Sequence, residues 1–270
     1  MKIAVLISGE YRMLDVCRPT MKFLDDLNTD VYVSTWDCTT YDFPMLNRSF
    51  DEKITTDKIL KDLGRDAVIQ IDSVGILSAL SDKCGVYMMY RWQRGFELIK
   101  KSKIHYDYVI IVRPDLYIGW YDQLKDLHRF DNALGVPWTR KADGFLNDVF
   151  LISSYSKMLN LFDNLQISEW IACTDTENWH QWWYQQALQL VGDIVEYQDM
   201  YITVCRPTAK SSMTFDQLRE IEIDWQDLKM LRSLEVWPES AYSNWPSAQI
   251  QHAKDKWKSG YFDKYKFHGR

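Results

Sequence analysis

A single α/β domain with a mainly parallel central sheet is the fold class this sequence predicts, and three observations predict it. Short apolar runs rich in Val and Ile alternate with longer stretches of helical periodicity through the first two-thirds of the chain, the order that strand–helix–strand units impose. The early runs are almost continuously apolar, as parallel strands covered on both faces are. Finally, 46% apolar and 26% charged residues over 270 positions match a globular chain with a sizeable core and exclude wholesale disorder.

The elements follow in order. Residues 2–7, 31–35, 67–71 and 108–112 read as strands, the first four of a sheet. Residues 19–27, 56–63 and 83–101 read as the helices between them. In the last of these Val86, Met89, Tyr90, Gln93, Phe96 and Glu97 recur at three- and four-residue steps, and Lys100-Lys101 close it where cations suit the helix dipole. Residues 133–136, 149–152 and 193–197 are further strands. After Cys205 the character changes: residues 215–234 read as one or two acidic helices, and the Trp-Pro pairs at 237–238 and 245–246 punctuate loops. There is no internal repeat, low-complexity tract or long linker. The expected organisation is a core over residues 1–205 and a helical appendage over residues 206–270.

Several classes fall away on composition. The longest apolar stretches are five to six residues, against about 20 for a membrane span, so no transmembrane segment is expected. Ile3-Ala4-Val5-Leu6-Ile7 is too short for a signal-peptide core and Glu10 and Arg12 follow at once, which points to a chain that starts here, in the cytoplasm. Cys17, Cys38, Cys84, Cys173 and Cys205 are odd in number, widely spaced and never C-x-x-C; free thiols in a reducing compartment fit better than zinc or disulfides. A net charge of −6 argues against a generic nucleic-acid coat, though a sum conceals local patches. The 14% aromatic content, with 12 Trp, suits a core and equally a platform for flat or sugar-like ligands.

In open α/β sheets ligands sit beyond the carboxyl ends of the strands, so the residues after each strand are the candidates. The first strand runs into Ser8-Gly9-Glu10-Tyr11-Arg12: Gly9 permits a tight turn and close backbone approach, and Arg12 offers a planar fork to phosphate. The plainer reading is a simple turn. The second ends at Trp36-Asp37, a base-stacking ring with a carboxylate acceptor, or a core Trp. The strand at 108–112 stops at Arg113-Pro114-Asp115, where the carboxylate can take a hard divalent cation that neutralises a diphosphate, or simply pair with Arg113. Asn147 and Asp148 enter the strand at 149–152; they can read sugar hydroxyls, Asp148 can serve as a base, or both can cap a turn.

Taken together, Ile7 through Arg12, Asp30 through Asp37, Tyr87-Met88-Met89-Tyr90, Tyr106 through Asp115, and Gly144 through Met158 resemble, in order and spacing, small bacterial and viral (phage-type) nucleotide-sugar glycosyltransferases with a GT-A-like, Rossmann-like fold. The resemblance covers residues 1–205. It implies that Ser8, Gly9 and Arg12 line the nucleotide pocket, with Trp36 or Asp37 near the base and Asn147 nearby. Arg113 and Asp115 then occupy the place of the family's Asp-x-Asp metal motif, although no two aspartates of this chain are two apart. Asp115 alone holds Mn²⁺ or Mg²⁺ on one reading; on the other, Arg113 supplies part of that charge. Asp148 is the expected catalytic carboxylate, activating a hydroxyl acceptor or binding the donor sugar.

Two further segments carry candidates. Glu177 and His180 are three apart and share a face if helical; they can supply a second base or an extra metal ligand, or belong to a plain amphipathic helix with Trp179 and Trp183 inward. Residues 252–270 hold six Lys/Arg against two Asp, a net +4 that leaves −10 for residues 1–251, interleaved with Trp257, Tyr261, Phe262, Tyr265 and Phe267. That pattern suits a phosphate-rich surface, membrane or DNA, or a docked terminal helix whose lysines snorkel. The function expected is hexosyl or pentosyl transfer from a nucleotide-diphosphate sugar to a hydroxyl. A glycan or glycolipid acceptor ranks first and a hydroxymethylated base of bacteriophage DNA second. A non-catalytic carbohydrate- or nucleic-acid-binding module is the alternative.

Overall fold

The computed structural model describes residues 1–12, 14–43, 48–80, 83, 85–118, 124, 126–137, 139–140, 144–173, 178–196, 202–204 and a few positions between 251 and 259. The chain divides into two compact units, Met1–Thr208 and Ala209–Arg270. The acidic stretch at 215–234 and most of the basic aromatic segment 252–270 lie outside the described residues.

In chain order the first unit contains β1 (Ile3–Ser8), α1 (Leu14–Cys17), α2 (Phe23–Asp26), β2 (Thr29–Trp36), β3 (Cys38–Phe43), β4 (Arg48–Lys53), α3 (Thr56–Leu63) and β5 (Val68–Asp72). There follow α4 (Val86–Lys101), β6 (Tyr108–Val112), β7 (Leu116–Ile118), β8 (Ala133–Val136), β9 (Thr139–Arg140), β10 (Phe145–Leu146) and β11 (Phe150–Ser154). The unit closes with α5 (Tyr155–Asn164), α6 (Ile167–Ala172), α7 (Trp179–Val191), β12 (Asp193–Glu196) and β13 (Ile202–Val204).

Seven strands form the main sheet in the order β12-β8-β11-β6-β1-β2-β5. Only β11 runs against the others, antiparallel to both β6 and β8, while β1, β2, β5 and β6 are mutually parallel and β12 is parallel to β8. These are the seven segments that the apolar runs predict. The mainly parallel α/β class follows directly.

Strand alternation builds two cores. Ile3, Val5 and Ile7 of β1 point to one face, with Val31, Val33, Ile110 and Val112 and the side chains of α1, α2 and α3. Ala4 and Leu6 point to the other, with Val109, Ile111 and the buried stripe of α4, α5 and α7. β1 lies inside the sheet, between β6 and β2, and is fully buried along its length.

Local chemistry sets the ends. α3 starts at Thr55, whose hydroxyl accepts from Lys58 N at 3.2 Å, and stops at Gly64 in the left-handed region. α4 starts at Val86 rather than at 83, because Gly85 takes φ +84° and a Cβ there would stand 2.3 Å from the Trp179 ring. Its buried face is Val86, Met89, Trp92, Phe96 and Ile99 together with Arg91, so Gln93 and Glu97 lie off the face the spacing suggested. The helix expected over 19–27 is instead a 3₁₀ turn at Arg18–Thr20, with Pro19 in its first turn, followed by the four-residue α2; Met21 leaves helical geometry between them. Residues 67–71 are not a strand covered on both faces. Among the described residues β5 pairs with β2 alone, at the sheet edge, and Val68 is half exposed.

Among the described residues, Trp170, Trp179 and Trp183 are core. Trp179 stacks on Trp183 with centroids 6.1 Å apart, and Trp183 meets Trp92 at 5.2 Å. The inward packing of Trp179 and Trp183 on an amphipathic helix is thus what α7 adopts. Among the described residues no helix is long and apolar enough to cross a membrane.

Candidate active site

The carboxyl ends of β1, β2 and β6 open onto a cleft of about 390 Å³ lined by Ser8, Gly9, Glu10, Arg12, Trp36, Cys38, Val74, Tyr87, Met88, Arg91 and Arg113. That is the size of a small-molecule site. Gly9 holds φ +131°, and its amide donates to Ser34 O at 3.2 Å; a side chain here would strain the turn that carries Arg12 into the cleft.

A carboxylate organises the floor. Asp115 is fully buried. Its Oδ2 accepts from Arg12 Nε at 2.8 Å and Arg113 Nη2 at 2.7 Å, and its Oδ1 from Arg113 Nε at 2.9 Å. Arg12 Nη1 donates in turn to Glu10 Oε2 at 3.1 Å. Burial pulls the Arg113 guanidinium down, but Asp115 first, then Asp148 and Glu10, hold its proton above the usual range. Arg113 N also donates to Val149 O at 3.2 Å, so the end of β6 and the start of β11 meet, and Asp148 reaches this edge through that strand. Asp148 Oδ2 accepts from Trp179 Nε1 at 3.1 Å, which fixes the carboxylate.

Arg91, on α4, is the residue sequence reasoning missed. Its guanidinium is buried at the cleft, 3.9 Å from the Trp36 ring centroid, and donates to Thr35 O and to Asp72. Burial lowers its pKa below that of a free guanidinium. Asp72 shows the converse: burial works to raise it, yet bonds from Gln70 and Arg91 and the charge of Arg91 keep it below the ordinary carboxylate range. The signal in the sequence was a charged residue inside the apolar run Met88-Met89-Tyr90-Arg91-Trp92. Among the described residues, Ser8 Oγ and Arg91 Nε are buried without a hydrogen-bond partner. Buried polar atoms left open in this way mark places where a ligand or water completes the shell.

Of the residues singled out from sequence, Ser8, Gly9, Arg12, Trp36 and Arg113 line this one cleft, with Asp115 beneath them. Trp36 is almost fully buried and stacks on Tyr90 at 5.8 Å, with Arg91 over its ring, so it serves as wall and core more than as an open platform. Asp37 does not line the cleft: its Oδ1 accepts from Val74 N at 2.7 Å and pins the 74–79 turn. Asn147 turns back on its own backbone, Oδ1 accepting from Val149 N at 2.9 Å, the capped turn. His180 Nδ1 lies 2.9 Å from Leu146 O, to which it donates, and its ring stacks on Phe145 at 4.1 Å. Glu177 lies outside the described residues.

The donor set at Asp115 does not fit a divalent cation. Both carboxylate oxygens are already engaged, and two guanidiniums stand at hydrogen-bond distance from them. Two unit charges about 4 Å apart repel by about 4 kcal/mol at an effective dielectric constant near 20, and a divalent ion doubles that for each guanidinium. Among the described residues no group of three or more His, Cys, Asp and Glu is disposed to hold a metal.

No protein-family model matches this chain, and no curated protein sequence matches it. Solved structures do, at low identity. The galactosyltransferase LgtC, in complex with donor and acceptor sugar analogs, is 13% identical over 73% of each chain with a TM-score of 0.45. The glycosyltransferase GlyE of Streptococcus pneumoniae is 13% identical over 73% of this chain at a TM-score of 0.39, and the match spans only 45% of GlyE. HddC of Yersinia pseudotuberculosis, complexed with GMP-PN, is 11% identical over 75% of this chain and 92% of its own, with a TM-score of 0.39. These likenesses concern the path of the chain alone.

Proposed function

We propose that this protein is a nucleotide-sugar-dependent glycosyltransferase on a GT-A-like core. The observation that carries the reading is the cleft at the carboxyl edge of β1, β2 and β6, where Arg12, Arg91 and Arg113 converge; Asp148, held by Trp179 Nε1, is near enough for its charge to act on Arg113. The resemblance of residues 1–205 to that family supports it. In the reaction the bond between the sugar's anomeric carbon and the diphosphate oxygen breaks, and the electron pair leaves with the nucleoside diphosphate. An acceptor hydroxyl oxygen forms the new bond to that carbon, and its proton passes to Asp148. Stabilising the departing negative charge is the largest contribution expected of the protein, and guanidiniums are suited to it. The donor sugar is a hexose or pentose. The acceptor is a glycan or glycolipid, ahead of a hydroxymethylated base in phage DNA, with residues 252–270 as the contact to membrane or DNA and the cytoplasm as the place of action. At Asp115 the guanidiniums take the place that Mn²⁺ or Mg²⁺ would have, for the reason of charge given above.

The test is a thermal-shift panel of nucleoside diphosphates and nucleotide sugars, followed by turnover of whichever donor stabilises the protein. A ligand at a hundred times its dissociation constant adds about 2.7 kcal/mol of stability. Asp148→Asn should retain that shift and lose about 10²–10⁴-fold in turnover. Stabilisation by carbohydrate or DNA with no turnover of any donor would instead mark a non-catalytic binding module.

A further inference from the structure

We infer that this chain grips the donor's diphosphate with a pair of guanidiniums, Arg12 and Arg113, set by Asp115 beneath them, and that nucleotide binding therefore needs no metal. The inference rests on the donor reading above and specifies how that site handles charge. Asp115 is fully buried and absent from the lining of the cleft, whereas Arg12 and Arg113 both line it. The carboxylate takes one edge of each guanidinium: Nε of Arg12, and Nε with Nη2 of Arg113. Among the described residues, Arg12 Nη2 and Arg113 Nη1 are left without a protein acceptor. Two planar donors locked from behind, each with an N–H free, suit the oxygens of a diphosphate. Side chains about a quarter exposed are reachable from solvent, yet their direction is fixed before the ligand arrives.

Glu10 has a defined place in this arrangement. It lines the same cleft and holds Arg12 Nη1 at 3.1 Å, so Glu10, Arg12, Arg113 and Asp115 balance to zero charge when no anion is bound. An incoming diphosphate competes with Glu10 for Arg12. Asp115 is a positioning residue here, since it acts on the ligand only through the two guanidiniums.

The experiment is titration calorimetry of the full chain with UDP, GDP, CDP and ADP, each in EDTA and again with Mn²⁺ or Mg²⁺, and with the matching nucleosides. The expected result is a nucleoside diphosphate whose affinity in EDTA stays within about threefold of that with metal. Arg12→Gln, Arg113→Gln and Asp115→Asn should each lower the preference for diphosphate over nucleoside by about tenfold, the scale of one charge-assisted contact. Glu10→Gln should raise it several-fold. A purely structural role for Asp115 would weaken nucleoside and diphosphate alike. Tightening of tenfold or more by metal, with binding otherwise intact, overturns the guanidinium pair and leaves the donor reading standing. Absence of binding by any nucleotide under both conditions overturns the two together. If the arginine variants fail to fold, the wild-type comparison with and without metal still decides.

Discussion

Replacing Gly95 with Ala tests how α4 is held against the sheet. A Cβ built at Gly95 would lie 2.3 Å from Leu6 Cδ1, 2.7 Å from Cδ2 and 3.0 Å from Cγ, against an optimum of about 3.5–4.0 Å between carbons. Leu6 is fully buried in β1, so it has no room to swing aside, and the helix has to rise by an ångström or more. Overpacking of this kind costs about 1–3 kcal/mol, and the overlap here argues for the upper half. Ala in place of Gly inside a helix returns about 1 kcal/mol, which leaves a net loss of about 1–2 kcal/mol. The same change in a Leu6→Ala background removes the overlap. Leu6→Ala alone costs about 2–5 kcal/mol, and Gly95→Ala added to it should be neutral or stabilising, a coupling of about 2 kcal/mol between the two sites. Urea unfolding of the four proteins, with slopes checked for constancy, measures the cycle. Because α4 also carries Tyr87, Met88 and Arg91 to the cleft, nucleotide affinity should fall in Gly95→Ala and recover in part in the double variant. Gly95→Ala as stable as wild type, with coupling below about 0.5 kcal/mol, would refute the reasoning.

Two further expectations concern charge. Arg91→Met removes the buried partner of Asp72 and one donor to Thr35 O; breaking a buried pair in this way costs about 3–5 kcal/mol, so the melting temperature should drop, and adding Asp72→Asn should restore part of it. A wild-type melt for Arg91→Met would contradict that. Asp30 is depressed in the folded state: burial works to raise it, but bonds from Lys2 and Tyr106 and the charges of Lys2 and Arg65 prevail. The unfolded chain therefore binds more protons in acid. This contribution is complete above the unfolded carboxyl pKa of about 3.9 and is lost as pH falls from there through the folded value. Urea midpoints between pH 6 and pH 3 should fall less steeply in Asp30→Asn; parallel curves would remove Asp30 from the account.

The interior strands β1, β2 and β6 were legible because such a strand has to be apolar on both faces, and that needs no partner to be read. The same holds for the turn after β1, since Ser8-Gly9 and Arg12 follow a buried strand and have only its carboxyl edge to occupy. Less legible were elements whose identity depends on what they meet. The β3–β4 hairpin carries no strong pattern of its own, β5 lies at the sheet edge with Val68 half exposed, and β7 is a strand only because β13 lies beside it.

Within the site the division is the same. Sequence alone brought Arg12, Arg113 and Asp115 forward as polar residues following a strand, and Asp148 as one that precedes a strand. It could not say that Asp115 sits beneath both arginines, since Arg12 and Asp115 are 103 residues apart and join only when β6 pairs with β1. Nor could it separate Arg91, buried against Trp36, from an ordinary surface arginine, or tell that Asp37 and Asn147 hold backbone. Hydrophobic pattern is a local property of the chain. The partner of a charge, and so whether a carboxylate has room for a metal, is a property of the folded contacts.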